Sequence, residues 1–337
     1  MATLNQNYLT LAELASKYYA SDGSILPIAE ILAQSTPMMK DMNFIQGNLL
    51  TGFKCALRTE LPASTFVKYY EGLTPTKGKR QTLTFGTARQ RQLAQFDADL
   101  LDLNDNKSIA LMDESIAHIM GMGQDWESEI IYGTAAEPEK IVGLAATYDT
   151  ISTDETNIGF NVISGGGSGS DNTSIWIIWW GPGNIHGIYP KGSKVGIQKK
   201  VFPSQMVDAP DGGRYEAIEV LFKFDGGLAI PNWQSAVRIA NIDASELADA
   251  GESGFNGAPL INLLITALNK FKPQVKMGKP YIYANRTVVT ALDQLMTAKS
   301  TLGLSVIKGA EGEPVTAFRQ IPVRLAERIL DTEAVVS

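Results

Sequence analysis

Two histidines are the first candidates for chemistry, because an imidazole can bind metal or carry a proton near neutral pH. They are His118 and His186, and no second histidine or cysteine stands near either of them. A zinc site needs four ligands, or three and a water, so neither segment holds a metal set. His118 falls within a helical pattern and reads as a helix-surface or interface residue; His186 sits in the turn-rich run Gly183-Asn184-Ile185-His186-Gly187. Asp97, Asp99, Asp102 and Asp105 present carboxylates at close spacing, as a calcium loop does. Their spacing fails the calcium pattern, since Leu101 stands where a third oxygen ligand belongs. An acidic linker entering a helix N-terminus explains them better, because those charges favour the helix dipole.

Glycine-rich loops cradle phosphate only in particular contexts. Gly165-Gly166-Gly167-Ser168-Gly169-Ser170 has no Gly-Lys-Ser/Thr after it and does not form a nucleophile elbow. Gly181-Pro182-Gly183 with Gly187 misses the dinucleotide spacing by one residue. Trp176, Trp179 and Trp180 form a possible sugar platform, but inside an isoleucine-rich run they read as core. The lone cysteine, Cys55, has no internal disulfide partner and reads as a small packing residue. No catalytic residue, cofactor or metal site emerges.

The elements that carry these residues are legible from periodicity. The chain has 337 residues, 44% apolar and 19% charged, which suits a folded body of two domains or of one with an excursion. Its formal net charge of -7 argues against a chain held to nucleic acid by phosphate contacts. The N-terminus lacks a basic run followed by an apolar one, so no signal peptide is expected, nor a cleaved scaffolding extension ahead of the arm. No apolar stretch approaches the ~18 residues of a membrane helix; this predicts a soluble protein made in a reducing cytoplasm.

Residues 8–19 and the segment after Pro27 pattern as two short helices too small to hold a core, hence an arm laid on something else. Residues 47–95 are rich in Thr, Pro and Gly, with strand-like pieces at 54–59, 65–70 and 81–86 and sparse large apolar residues. Gly72, Pro75 and Gly78 mark a long hairpin, which is marginal without a partner surface. A long helix follows. Ser108 is its candidate cap, Ile109, Met112, Ile116, Ile119, Met120, Trp126 and Ile130 form its apolar stripe, and Gly133 sits where a left-handed cap belongs. Gly121 and Gly123 weaken its middle by roughly 1 kcal/mol each. Residues 165–170 suggest a flexible loop. Strands are expected over 175–180, 194–201, 215–224 and 237–242, with turns at Gly181-Pro182-Gly183, Pro210-Asp211-Gly212-Gly213 and Asp225-Gly226-Gly227. Pro259 opens a helix, residues 280–284 form a buried strand, Asn285 caps a second helix, and the last 22 residues read as strands broken by Pro322.

Charge is distributed unevenly. Between Lys54 and Arg91 eight basic residues face two acidic ones, a net of about +6. From Asp97 to Glu155 fourteen acids face Lys107 and Lys140, a net of about -12. Such segments either fold together within one chain, form two solvated faces, or join neighbouring copies head to tail in rings. The last arrangement nominates Lys77, Lys79 and Arg80 against Glu127 and Glu129 as an inter-subunit contact.

The order of parts resembles the Hong Kong 97-type major capsid fold of tailed bacteriophages. The ending Ala317-Phe318-Arg319-Gln320-Ile321-Pro322-Val323-Arg324 with Ile329-Leu330-Asp331-Thr332-Glu333 is similar to that family's closing strands. Gln46-Gly47-Asn48-Leu49-Leu50-Thr51-Gly52, and Trp180-Gly181-Pro182-Gly183 through Gly187-Ile188-Tyr189-Pro190-Lys191-Gly192, resemble capsid proteins of short-tailed phages of the epsilon-fifteen type. The resemblance implies an α+β fold divided as an N-terminal arm over 1–45, an extended hairpin loop over 46–96 and a peripheral domain with spine helix over 97–150. A β-rich middle over 151–242, an axial α/β domain over 243–312 and C-terminal strands over 313–337 would follow. It further implies a non-enzymatic shell subunit that forms pentamers and hexamers around double-stranded DNA without gripping it, sits in the virion capsid, and is made in the bacterial host cytoplasm. Portal, scaffolding and decoration proteins are the partners this implies. An encapsulin-like compartment on the same fold and a β-rich hydrolase or sugar-binding domain are the alternatives. Large obligate interfaces separate a shell from an enzyme built on a convergent polar pocket.

Overall fold

The computed structural model describes residues 36–102, 107–209, 212–248, 259–273, 275, 278–297, 304–308 and 314–337. The two helices expected before residue 35 and Asp105 lie outside these residues. The chain divides into two compact units, each assembled from separated segments.

Among the described residues, one unit is built from residues of 89–125 and 194–225. Its frame is β10 (Arg214–Ala229, whose residues 214–225 belong here), flanked by β4 (Ala88–Asp97) on one side and by β8 (Gln198–Val201) and β9 (Gln205–Asp208) on the other. The pairing passes from Ala217↔Gln205 to Val220↔Val201, and the buried positions of β10 change parity at the same place, from Ala217 to Val220, Phe222 and Phe224. After the short α2 (Ala98–Asp102) comes α3 (Lys107–Tyr132), 26 residues that run unbroken through Gly121 and Gly123. Ser108 lies inside this helix rather than ahead of it. Two of the four clustered aspartates stand at its approach, where the Asp99 amide donates to Asp97 Oδ1 at 3.0 Å.

The buried stripe of α3 differs from the expected one. Ser115 and Met122 are buried and the His118 ring stacks on Phe222 at 5.4 Å, whereas Ile119 and Met120 are more than a third exposed. With the His118 ring seated on Phe222, Ile119 and Met120 beside it are left facing outward, which periodicity alone cannot distinguish.

The other unit comprises residues 35–88, 126–193 and 226–337. Its centre is a seven-stranded sheet containing β5 (Val162–Ser164), β6 (Asn172–Trp180), β11 (Ala236–Asp243), β12 (Lys279–Ala284), β13 (Leu304–Lys308), β14 (Pro314–Phe318) and β15 (Ile321–Leu325), in the order β13-β14-β15-β12-β6-β11-β5. Strand β6 lies antiparallel between β11 and β12 and is buried on both faces, so it reads as one apolar run. Ile175, Ile177, Val237, Ile239 and Ile282 pack with Leu260 and Leu264 of α6 (Leu260–Lys270) and Val288 and Leu292 of α7 (Arg286–Thr297). Pro259 precedes α6 as expected, and the Asn285 carboxamide accepts from the Val288 amide at 3.0 Å, capping α7.

Trp176 and Trp180 are fully buried core residues, and the Trp180 indole donates to the Tyr283 hydroxyl at 2.7 Å. Beside them the Arg238 guanidinium donates to Glu333 at 2.8 Å, Ser174 at 3.0 Å and the Tyr148 carbonyl at 2.9 Å. Tyr132 donates to the other oxygen of Glu333 at 2.5 Å. Burial and the Glu333 carboxylate push the Tyr132 phenol far above its ordinary range. Such a network is tolerable in the interior because its charges are mutually satisfied.

Three loops depart from expectation. The Asp225-Gly226-Gly227 segment is no turn: β10 continues through it to pair with β7 (His186–Tyr189), and a Cβ on Gly227 would sit 2.5 Å from the Gly86 carbonyl oxygen. Gly227 is there for close backbone approach. Likewise the stretch from Gly165 is tied down, with Gly165 and Gly167 amides donating to Ala240 and Asn241 carbonyls at 2.7 and 2.8 Å. A Cβ on either glycine would press on the Asn241 carbonyl, so the small residues serve contact with the irregularity of β11. Finally, Pro322 lies within β15, opposite Ala317; the strands reverse at Arg319 and Gln320, both at positive φ (48° and 67°). Gly133 ends α3 with a helical bond to Glu129 and without a left-handed turn.

Candidate subunit interface

A hairpin of β2 (Gly52–Glu60) and β3 (Lys79–Gly86) carries the feature most in need of a partner. Among the described residues the two strands pair with each other, in the register Cys55↔Leu83, and form a two-stranded sheet of their own. Residues 65–70, expected as a strand, lie in the irregular loop that joins them, residues 61–78. That loop holds Leu61, Phe66, Tyr69, Tyr70 and Leu73, and the three aromatic rings are fully exposed, with relative exposures of 103%, 98% and 107%. The expectation of sparse large apolar residues in this region is thereby corrected for the hairpin tip. A two-stranded hairpin is marginal in water, and clustered exposed rings mark an interaction surface.

The base of the hairpin is anchored. Strand β1 (Phe44–Gln46) runs parallel to β7, the Thr87 amide donates to the Thr51 carbonyl at 3.1 Å, and the Phe53 ring meets His186 edge-on at 5.2 Å. His186 therefore stands in a strand, fully buried, not in an open turn. Burial holds its imidazole below the usual value. Cys55 lies half-buried in β2, and burial raises its thiol pKa.

The charged residues expected to make the contact fall into three situations. Lys77 and Arg80 are exposed on the hairpin; Arg80 faces Arg58 directly across the strands, a like-charge pair that costs stability until an acidic surface offsets it. Lys79 already pairs with Glu60 of its own hairpin at 2.6 Å. Among the acids, Glu129 is partly exposed and pairs with Lys140 at 2.9 Å. Glu127 is fully buried and cannot meet a hairpin from another copy. That part of the expected contact is wrong because the inward face of α3 includes position 127, next to Trp126 and Ile130. Exposed carboxylates of the same acidic segment include Asp99, Glu137, Glu139, Asp149, Asp154 and Glu155.

Among the described residues, no group of three His, Cys, Asp or Glu side chains converges as metal ligands do. No helix of the described residues is long and apolar enough to cross a membrane.

The family described as major capsid protein GP7 matches residues 20–337. The chain belongs to that family. As a major capsid protein it shares its fold with solved phage structures. A chain of bacteriophage Epsilon15 superposes with a TM-score of 0.73 at 27% identity, over 100% of this chain and 99% of that one. The bacteriophage JBD30 capsid gives a TM-score of 0.50 at 10% identity, over 89% of this chain and 93% of that one. An encapsulin complex from Synechococcus elongatus PCC 7942 reaches a TM-score of 0.44 at 9% identity, over 68% of this chain and 94% of that one. No curated protein sequence matches. The α+β, Hong Kong 97-type capsid fold and the likeness to epsilon-fifteen-type phages expected from the sequence both hold.

Proposed function

We propose that this major capsid protein is the repeating subunit of a closed icosahedral shell, arranged in fivefold and sixfold clusters around double-stranded DNA. Its role is assembly, with no catalysis of its own. The hairpin tip carries the reading: a two-stranded element with three bare aromatic rings cannot be a finished surface. Its occupant is a second copy of the chain. The tip is basic, and the acidic stretch from Glu129 to Glu155 offers the complementary charge on a neighbour, with the aromatic rings at the centre and Lys77, Lys79 and Arg80 at the rim. A contact between two different patches is head-to-tail and closes into rings. Obligate interfaces of this kind bury about 2,000–5,000 Å².

A net charge of -7 suits DNA that is contained and not gripped, since weak adhesion lets the duplex slide during packaging. Portal, scaffolding and decoration proteins complete the set of partners, and synthesis takes place in the bacterial cytoplasm. Negative-stain microscopy of purified protein tests the reading. Shells or capsomer rings are expected. A stable monomer at micromolar concentration whose residues 47–95 resist protease would refute it.

A further inference from the structure

Where α1 (Pro37–Asp41) meets the last turns of α3, the structure buries a carboxyl group. Glu127 is fully inaccessible, and neither of its carboxylate oxygens has a hydrogen-bond partner. The Met38 amide of α1 favours the ionised form without reaching hydrogen-bond geometry. Met38 itself is fully buried, so the arm root is seated directly on this position. An ionised carboxylate left there without hydrogen bonds carries a heavy desolvation cost, and a neutral one does not.

We infer that Glu127 is a protonation-controlled latch on the arm root: α1 stays seated on α3 while this carboxyl is neutral, and is released when the carboxyl ionises. The charged groups around it are Lys40 and Asp41 from α1 and Arg328 from the C-terminal segment. Asp41 is itself held by the Tyr283 hydroxyl at 3.1 Å and by Arg324 at 3.5 Å. Burial is the largest influence and, with the Asp41 charge, pushes the Glu127 carboxyl from 4.5 up to about 8; the Met38 amide, Arg328 and Lys40 oppose the shift. The folded value thus lies above the released one. Seating is at full strength below about pH 4.5 and weakens by about tenfold per pH unit until the pH passes the folded value near 8.

The test is hydrogen exchange of the purified full-length protein from pH 6 to pH 9.5, corrected for intrinsic exchange and read on the peptide covering residues 37–47. That peptide includes the Met42 amide, which donates to the Met38 carbonyl at 3.0 Å, and the Gly47 amide, which donates to the Tyr189 carbonyl at 2.8 Å. Wild-type protection there should fall at least tenfold across the range, while Glu127→Gln, neutral at every pH, should hold its protection throughout. Equal losses in both proteins, or none in the wild type, would overturn the latch. Should Glu127→Gln fail to fold, Asp41→Asn supplies the second arm. Removing that negative neighbour must move the wild-type transition to lower pH, and an unmoved transition would equally overturn it.

Discussion

Replacing Phe66, Tyr69 and Tyr70 together by serine strips the hairpin tip of its rings while leaving its backbone pairing in β2 and β3 untouched. All three rings are exposed in the single chain, so the change removes no core contact and the subunit should fold as before. Fully burying one such side chain is worth about 1.5–3 kcal/mol. If a neighbour covers roughly half of each ring, the triple variant forfeits about 2–4.5 kcal/mol per contact. At about 1.4 kcal/mol per tenfold, the critical concentration for assembly should rise roughly 30- to 1,500-fold. Light scattering across a protein dilution series, with microscopy of the products, measures this. Reversing Lys77, Lys79 and Arg80 to glutamate should do less, because individual exposed pairs are worth ~0–1 kcal/mol and Lys79 is already paired with Glu60. The charge variant should also recover with added salt, since the Debye length is about 10 Å at 0.1 M, whereas the serine variant should not. Normal assembly of the serine variant at the wild-type concentration would refute the reasoning, and would move the contact elsewhere along the hairpin.

Other outcomes follow from the buried charges and the acidic balance. Arg238→Met leaves Glu333 buried without its cation and should cost about 3–5 kcal/mol in guanidinium denaturation, whereas Arg238→Met with Glu333→Leu should recover much of that. Burial holds the folded value of His186 below the ordinary 6.5, so stability is full above pH 6.5 and is lost as pH falls from 6.5 through the lower folded value. Hydrogen exchange at the β2–β7 junction should therefore rise on acidification, and His186→Phe should flatten the response. Isolated subunits should retain duplex DNA only weakly; tight binding with a steep salt dependence in a filter assay would contradict the contained-DNA reading.

The capsid assignment was readable from the chain because its elements are encoded locally. A long helix bounded by Gly133, an isoleucine–tryptophan run for β6, Pro259 ahead of α6 and the Asn285 cap of α7 all encode themselves within a few residues. The hairpin also announced itself, although its pairing did not. Residues 65–70 have strand-like composition but no partner across the loop, and composition does not report pairing. The missed signal at the interface was the cluster of Phe66, Tyr69 and Tyr70 between Pro62 and Gly72, whose rings follow no period that would bury them.

What the amino-acid order determined alone was a net negative chain with a basic hairpin, and elements in the sequence of a capsid subunit. The tertiary structure decided everything that depends on which surfaces meet. Strand β10 passes through Gly227 because another backbone needs the space, and the reversal at Arg319 and Gln320 carries no turn signature because flanking strands impose it. Glu127 looked like one more surface charge among fourteen acids, yet α1 seated on the last turns of α3 places it inside. A residue's charge is written in its side chain, whereas its burial is a property of the partners that close over it, and those come from segments far away in the chain.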